Sequence, residues 1–129
     1  MGQFKIYGLA SELNKHRAVL SDIVHSCLVD ALKFPADKRF QRFFPLAAED
    51  FIYPAGRSQR YTIIELTMFS GRSVQAKKQF IKLIYQRCAE VLDLSPNDIE
   101  ITISESPPEN WGIRGLPGDE LNLDYKIKV

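Results

Sequence analysis

The 129-residue chain predicts one α/β (α+β) domain. It should hold two βαβ units in tandem, giving a four-stranded sheet with two helices on one face, plus a C-terminal strand. Three observations predict it. Apolar residues alternate, then recur at helical spacing, then alternate again, and this order occurs twice. The helical segments "LSDIVHSCLVDALKFPAD" and "IKLIYQRCAEVLDLSPND" superpose at an offset of 61, with Leu20 on Ile81, Ile23 on Ile84, Cys27 on Cys88, Pro35 on Pro96 and Asp37 on Asp98. At this length a single domain buries roughly 68% of its unfolded surface, enough for a core without metals or disulfides. The pseudo-repeat halves of this single domain 1–129 are residues 1–61 and 62–129.

The first strand starts almost at residue 1. In "MGQFKIYG", Phe4 and Ile6 alternate with Lys5 and Tyr7. Leu13, Leu20, Ile23, Val24, Cys27, Leu28 and Ala31 then trace a helical stripe, with Ser11 as N-cap and Pro35 as the stop. In "KRFQRFF" a strand turns Phe40 and Phe44 one way and Arg39 and Gln41 the other. "YTIIELTMF" is a nearly continuous apolar run, as a central strand requires. Phe80, Leu83, Ile84, Arg87, Cys88 and Val91 form the second helical stripe, Pro96 follows, and Ile99, Ile101 and Ile103 alternate as the closing strand. A right-handed crossover makes the strands within each unit parallel. "AAEDFIYPAGRSQ" and "SESPPENWGIRGLPGDE" are loops by their proline and glycine content. Last, "LNLDYKIKV" puts Leu121, Leu123, Tyr125, Ile127 and Val129 on one face. Such a strand needs a sheet edge, which a neighbouring subunit can supply. The same βαββαβ order fits a ferredoxin-like sandwich, the alternative fold, which hosts many RNA-binding modules.

Seventeen basic against sixteen acidic residues leave a net charge of +1, which argues against a general nucleic-acid or membrane-surface binder. "KRFQRFF" also lacks the glycine-spaced aromatics of an RNA-stacking strand. No apolar run approaches a membrane span and no signal-like segment opens the chain, so a cytoplasmic protein is expected. Cys27 and Cys88 lie among apolar residues outside any CxxC pair and read as buried thiols. His16 and His25 lie nine apart on one helix, without ligand spacing, and neither a metal nor a cofactor is implied.

Three places could carry chemistry. Small penultimate residues permit removal of Met1, and the free α-amine would then be that of Gly2, aligned by the repeat with Ile63 in the central strand. Desolvation there disfavours the charged form, so the amine could act as a general base near neutral pH. "SGRS", Ser70 to Ser73, joins the central strand to the second helix; Gly71 permits close backbone approach and Arg72 offers a bidentate fork to a carboxylate. In "ENWGIRGLPGDE", the lone Trp111 stands near Arg114, an aromatic wall beside a cation that suits a small conjugated acid.

These motifs resemble the tautomerase superfamily, and within it the malonate semialdehyde decarboxylase group. The likeness runs through "FPADKRFQ", "LTMFSGRS", "LSPNDIEITISE" and "NWGIRG". It implies a homotrimer of βαββαβ subunits tied together by C-terminal strands, an amino-terminal proline as general base or acid, and arginines holding the carboxylate of a keto acid. Here Gly2 stands at the proline position, Lys38 where those decarboxylases carry an acid, and Arg72 where they carry two arginines around a proline. The resemblance therefore implies tautomerase rather than decarboxylase chemistry. The Gly2 amine is the catalytic group, and Arg72, Trp111, Arg39, Arg114 and Lys38 are the substrate-binding candidates. A trimer that binds a small acid without turnover is the alternative.

Overall fold

Burial alternates along the first strand, with Gly2, Phe4, Ile6 and Gly8 inside and Lys5 exposed, so only one face of the strand can be covered. The computed structural model describes residues 1–123 and 125–129. The elements run β1 (Gly2–Leu9), α1 (Ala10–Leu32), β2 (Gln41–Leu46), β3 (Thr62–Phe69), α2 (Val74–Leu92) and β4 (Ile99–Ser106). A short hairpin of β5 (Gly112–Ile113) and β6 (Leu116–Pro117) follows. The four long strands form one sheet in the order β2-β1-β3-β4. β1 pairs with β2 and β3 with β4 in parallel, while β1 and β3 meet antiparallel at the centre. Each unit thus keeps its own two strands as neighbours, which the split βαβ of a ferredoxin-like sandwich does not.

The core lies between this sheet and the two helices. Phe4, Ile6, Ile64, Leu66 and Met68 from the central strands meet Leu20, Val24, Cys27, Phe80, Ile84 and Cys88 from the helices. Both cysteines are free and buried, and burial pushes the Cys88 thiol up to about 12, leaving it an inert packing group. In β2 the expected faces hold: Phe44 stacks on Tyr7 with centroids 4.8 Å apart, while Gln41 bonds to Ser21 of α1 from the other face.

The repeat is more regular in the sheet than in the helices. Gln41 lies 37 residues beyond its partner Phe4, and Ile101 lies 37 beyond its partner Ile64, so the strands correspond at an offset of 60. The helices keep the offset of 61 that the sequence displays. One residue is therefore gained before α2 and lost after it, and Gly2 corresponds to buried Thr62, not Ile63. A slip of one would have turned the wrong face of the strand inward.

Four expectations need correction. α1 begins at Ala10 behind Leu9, with no side-chain cap, so Ser11 is helical and not the N-cap. It stops at Lys33 in a left-handed conformation (φ 61°), two residues before Pro35. Val91 is 60% exposed, because the stripe of α2 narrows to Phe80, Ile84 and Cys88 towards its end. The alternating segment 121–129 forms no strand among its described residues, Asp124 lying outside them. Instead Tyr125 packs back against Phe34 and Ile127 lies beside Gly71.

Ile64→Ala, in fully buried β3, should lower unfolding stability by about 2–5 kcal/mol. Ile52→Ala, at 91% exposure, should stay within about 0.5 kcal/mol of the parent. Urea denaturation of both variants measures the contrast.

Candidate active site

The site begins with the central ladder. Gly2 pairs with Met68, and the Phe69 N–H donates to the Met1 carbonyl at 3.0 Å, so β1 delivers residue 1 to the end of β3. Beyond β3 the chain must turn sharply into α2. Gly71 takes φ +135°, a backbone that L side chains rarely adopt, and a Cβ there would lie 2.9 Å from Ile127. Ser73 then caps α2, its side chain accepting from Ala76 N–H at 3.1 Å.

Between these two residues Arg72 points inward and is only 5% exposed. Its Nε donates to the Leu32 carbonyl, left open at the end of α1, at 3.0 Å. Its guanidinium lies 4.0 Å from the centroid of the Phe34 ring. Nη1 and Nη2 are buried and have no hydrogen-bond partner among the described residues. Buried NH2 groups of a cation that lack acceptors carry a desolvation penalty, which an anion would relieve. Burial accordingly lowers the Arg72 pKa from its ordinary value, against opposing contributions from Tyr125 and Glu105.

The α-amine sits nearby. As described, it belongs to Met1, whose side chain is buried, and it donates to the Tyr125 hydroxyl at 2.7 Å. Burial first, and the Arg72 charge second, bring its pKa from 8.0 down to about 5. At neutral pH the amine is therefore an unprotonated base. Gly2 follows inside β1, where its nitrogen is an ordinary peptide group while Met1 is present.

A recess of about 180 Å³ opens over this amine, lined among the described residues by Met1, Lys38, Arg114, Asn122, Leu123 and Tyr125. Lys38 arrives on the turn after α1, its N–H donating to the Pro35 carbonyl. Arg114 occupies the β5–β6 turn with φ +51°, followed by Gly115 at φ +86°, the paired positive angles of a type I′ hairpin. For a residue with a side chain that conformation costs roughly 1–2 kcal/mol. Two expected candidates thus line one recess, and the charge of Arg72, which does not line it, lowers the pKa of its amine.

Two others lie elsewhere. Arg39 pairs with Asp22 at 2.7 Å and borders a separate groove with Gln3, Phe40, Gln41 and Arg42. Trp111 packs its edge on Phe69 with centroids 5.2 Å apart and donates from Nε1 to Ser106 Oγ, and it does not line the recess. Sequence reasoning missed Tyr125 and Phe34. Tyr125 looked like one more apolar position of a strand, and Phe34 carries no chemistry until Arg72 is folded against it. No group of three or more His, Cys, Asp or Glu among the described residues could hold a metal.

Against this geometry, a family model described as "Tautomerase enzyme" matches residues 38–114, more than half of the chain, and the protein belongs to that family. A 2-hydroxymuconate tautomerase of Comamonas testosteroni is 32% identical over 57 residues, spanning 44% of this chain and 90% of that protein. Among solved structures, a malonate semialdehyde decarboxylase superposes with a TM-score of 0.79 at 22% identity, covering 89% of this chain and 93% of the other. A fused 4-OT, solved as an asymmetric trimer, gives 0.78 at 22% identity over 91% and 96% of the two chains. Both structural likenesses are of fold. The expected superfamily and the α+β fold with two helices on a four-stranded mixed sheet are borne out.

The amine gives a measurable signature. Its folded pKa lies below its unfolded value, so between about pH 5 and 8 the unfolded chain binds more protons, and this group's contribution to stability rises with pH through that window. Acylation of the N-terminus of the native protein should show a midpoint near pH 5; a midpoint near 8 would place the amine in solvent.

Proposed function

We propose that the protein is a keto–enol tautomerase acting on a small 2-keto or 2-enol carboxylic acid, as a cytoplasmic homotrimer of the malonate semialdehyde decarboxylase-like group. One observation carries the reading: an amine whose pKa is lowered to about 5 lines a recess with Lys38 and Arg114, and the buried Arg72 guanidinium close enough to lower it keeps two NH2 groups unpartnered among the described residues. In the ketonising direction the amine accepts the enol O–H proton, the C=C electron pair takes a proton at carbon, and the ammonium supplies it. Arg72 binds the carboxylate through Nη1 and Nη2, and Lys38 and Arg114 hold negative charge at the mouth. If Met1 is removed, the Gly2 amine performs the same step one residue along.

Self-association has its own support. The sheet face opposite the helices carries the Tyr7–Phe44 stack and half-buried Ile63, and a related fold is solved as a trimer.

A binding role without turnover is the second reading. It is favoured by the hydrogen bond that already engages the amine with Tyr125 and by glycine at position 2.

Ketonisation of phenylenolpyruvate, followed by absorbance, should proceed with wild type and rise as pH climbs through about 5. Arg72→Ala should lower kcat/KM by about ten- to a hundredfold, the worth of a charge-assisted hydrogen bond. Equal rates for the two proteins would sink the tautomerase reading. Saturable binding without turnover would establish the second reading, and an intact mass assigns the amine to Met1 or Gly2.

A further inference from the structure

The left-handed turn at Lys33 places two groups against Arg72 at once. The Leu32 carbonyl takes its Nε, and the Phe34 ring lies 4.0 Å beneath its guanidinium. Both contacts spare Nη1 and Nη2, because a ring face meets the plane of the fork and not its edge. The ring needs room to lie there. A Cβ on residue 2 would approach Phe34 Cε2 and Cζ to 2.8 Å, closer than real Cβ contacts come, and Leu66 Cδ1 to 3.5 Å. Position 2 is therefore bare where the ring tip sits. The ring is itself 96% buried and tilts against Tyr125, with centroids 6.0 Å apart.

We propose that Phe34 is the positioning residue of the anion site: its ring, seated in the space left by Gly2, holds the Arg72 guanidinium face-on so that both NH2 groups stay open to a carboxylate. The glycine at position 2 is then a packing requirement of this arrangement. A side chain at residue 2 displaces the ring, the ring releases the guanidinium, and the fork loses its aim. The inference rests on the assignment of Arg72 as carboxylate binder, and it adds a residue that touches no substrate.

Pyruvate, titrated into the full-length protein and followed by NMR, tests it. Wild type should bind saturably and Arg72→Ala should not. Phe34→Leu keeps apolar volume but removes the π face, and should weaken binding by about tenfold, within the range of a desolvated cation–π contact. 3,5-Difluorophenylalanine at position 34 nearly preserves shape while drawing charge from the ring face, and should weaken binding in the same direction. Gly2→Ala should match Phe34→Leu, yet add little when combined with it, because the smaller side chain no longer collides with the new methyl. The fluorinated protein and Gly2→Ala decide the matter should Phe34→Leu not fold.

If Arg72-dependent binding is seen but the residue-34 variants bind as wild type does, Phe34 has no positioning role, and Arg72 keeps its assignment. Additive losses from Gly2→Ala and Phe34→Leu would likewise overturn the proposed coupling. Should wild type and Arg72→Ala bind equally, or neither bind, the carboxylate assignment itself falls and the role of Phe34 with it.

Discussion

The antiparallel pairing of β1 with β3 is the constraint on which the rest depends. It joins two units that each satisfy their own parallel pairing, and neither unit could bury both edges of its own strand pair alone. It also has a geometric consequence. Because β1 runs against β3, the first residue of the chain comes to rest beside the last residue of β3, where the Met1 carbonyl takes the Phe69 N–H. The turn into α2 starts there, so the amine and Arg72 become neighbours although about seventy residues of chain separate them. A parallel pairing would have sent them to opposite ends of the sheet.

That meeting puts two groups of like sign into a poorly solvated place. The two respond differently. The amine can surrender its proton, and burial together with Arg72 makes it do so. A guanidinium stays charged, so it must be compensated by other means. The Leu32 carbonyl at the negative end of α1 and the π face of Phe34 compensate in part, and the buried Nη1 and Nη2 have no partner among the described residues. An incoming carboxylate would complete the shell, and a neutral amine beside it is the form that accepts a proton.

The internal repeat also shows where the halves have parted. Residue 1 sits where the second half has Tyr61, which is stacked on Phe51 within an aromatic cluster that also includes Tyr53. Nearby, Asp98 receives the Ser58 N–H and hydroxyl, and Arg60 closes the end of α2 through the Leu92 and Asp93 carbonyls. The loop before β3 is thus tied to its end of the sheet and to the end of α2. At the other end lies the recess lined by Lys38 and Arg114. One scaffold therefore carries an aromatic corner and a cationic corner.

The chain alone determined its elements and their layering. Period-two and period-3.6 patterns follow from which face each element buries, and duplicated Cys27 and Cys88 marked both helices of one core. "SGRS" marked Arg72 because glycine before an inward-turned arginine is a local requirement of the turn. Local pattern could not tell the strand offset of 60 from the helical one of 61, nor that Arg39 pairs with Asp22 and Trp111 packs on Phe69. Nor could it foresee that Lys38 and Arg114 would face one recess with Tyr125. Those outcomes depend on contacts between residues far apart in sequence, and they follow from the direction and register of β1 against β3. The tertiary structure likewise decided the reason for a glycine at position 2, since that reason is the Phe34 ring, thirty-two residues away.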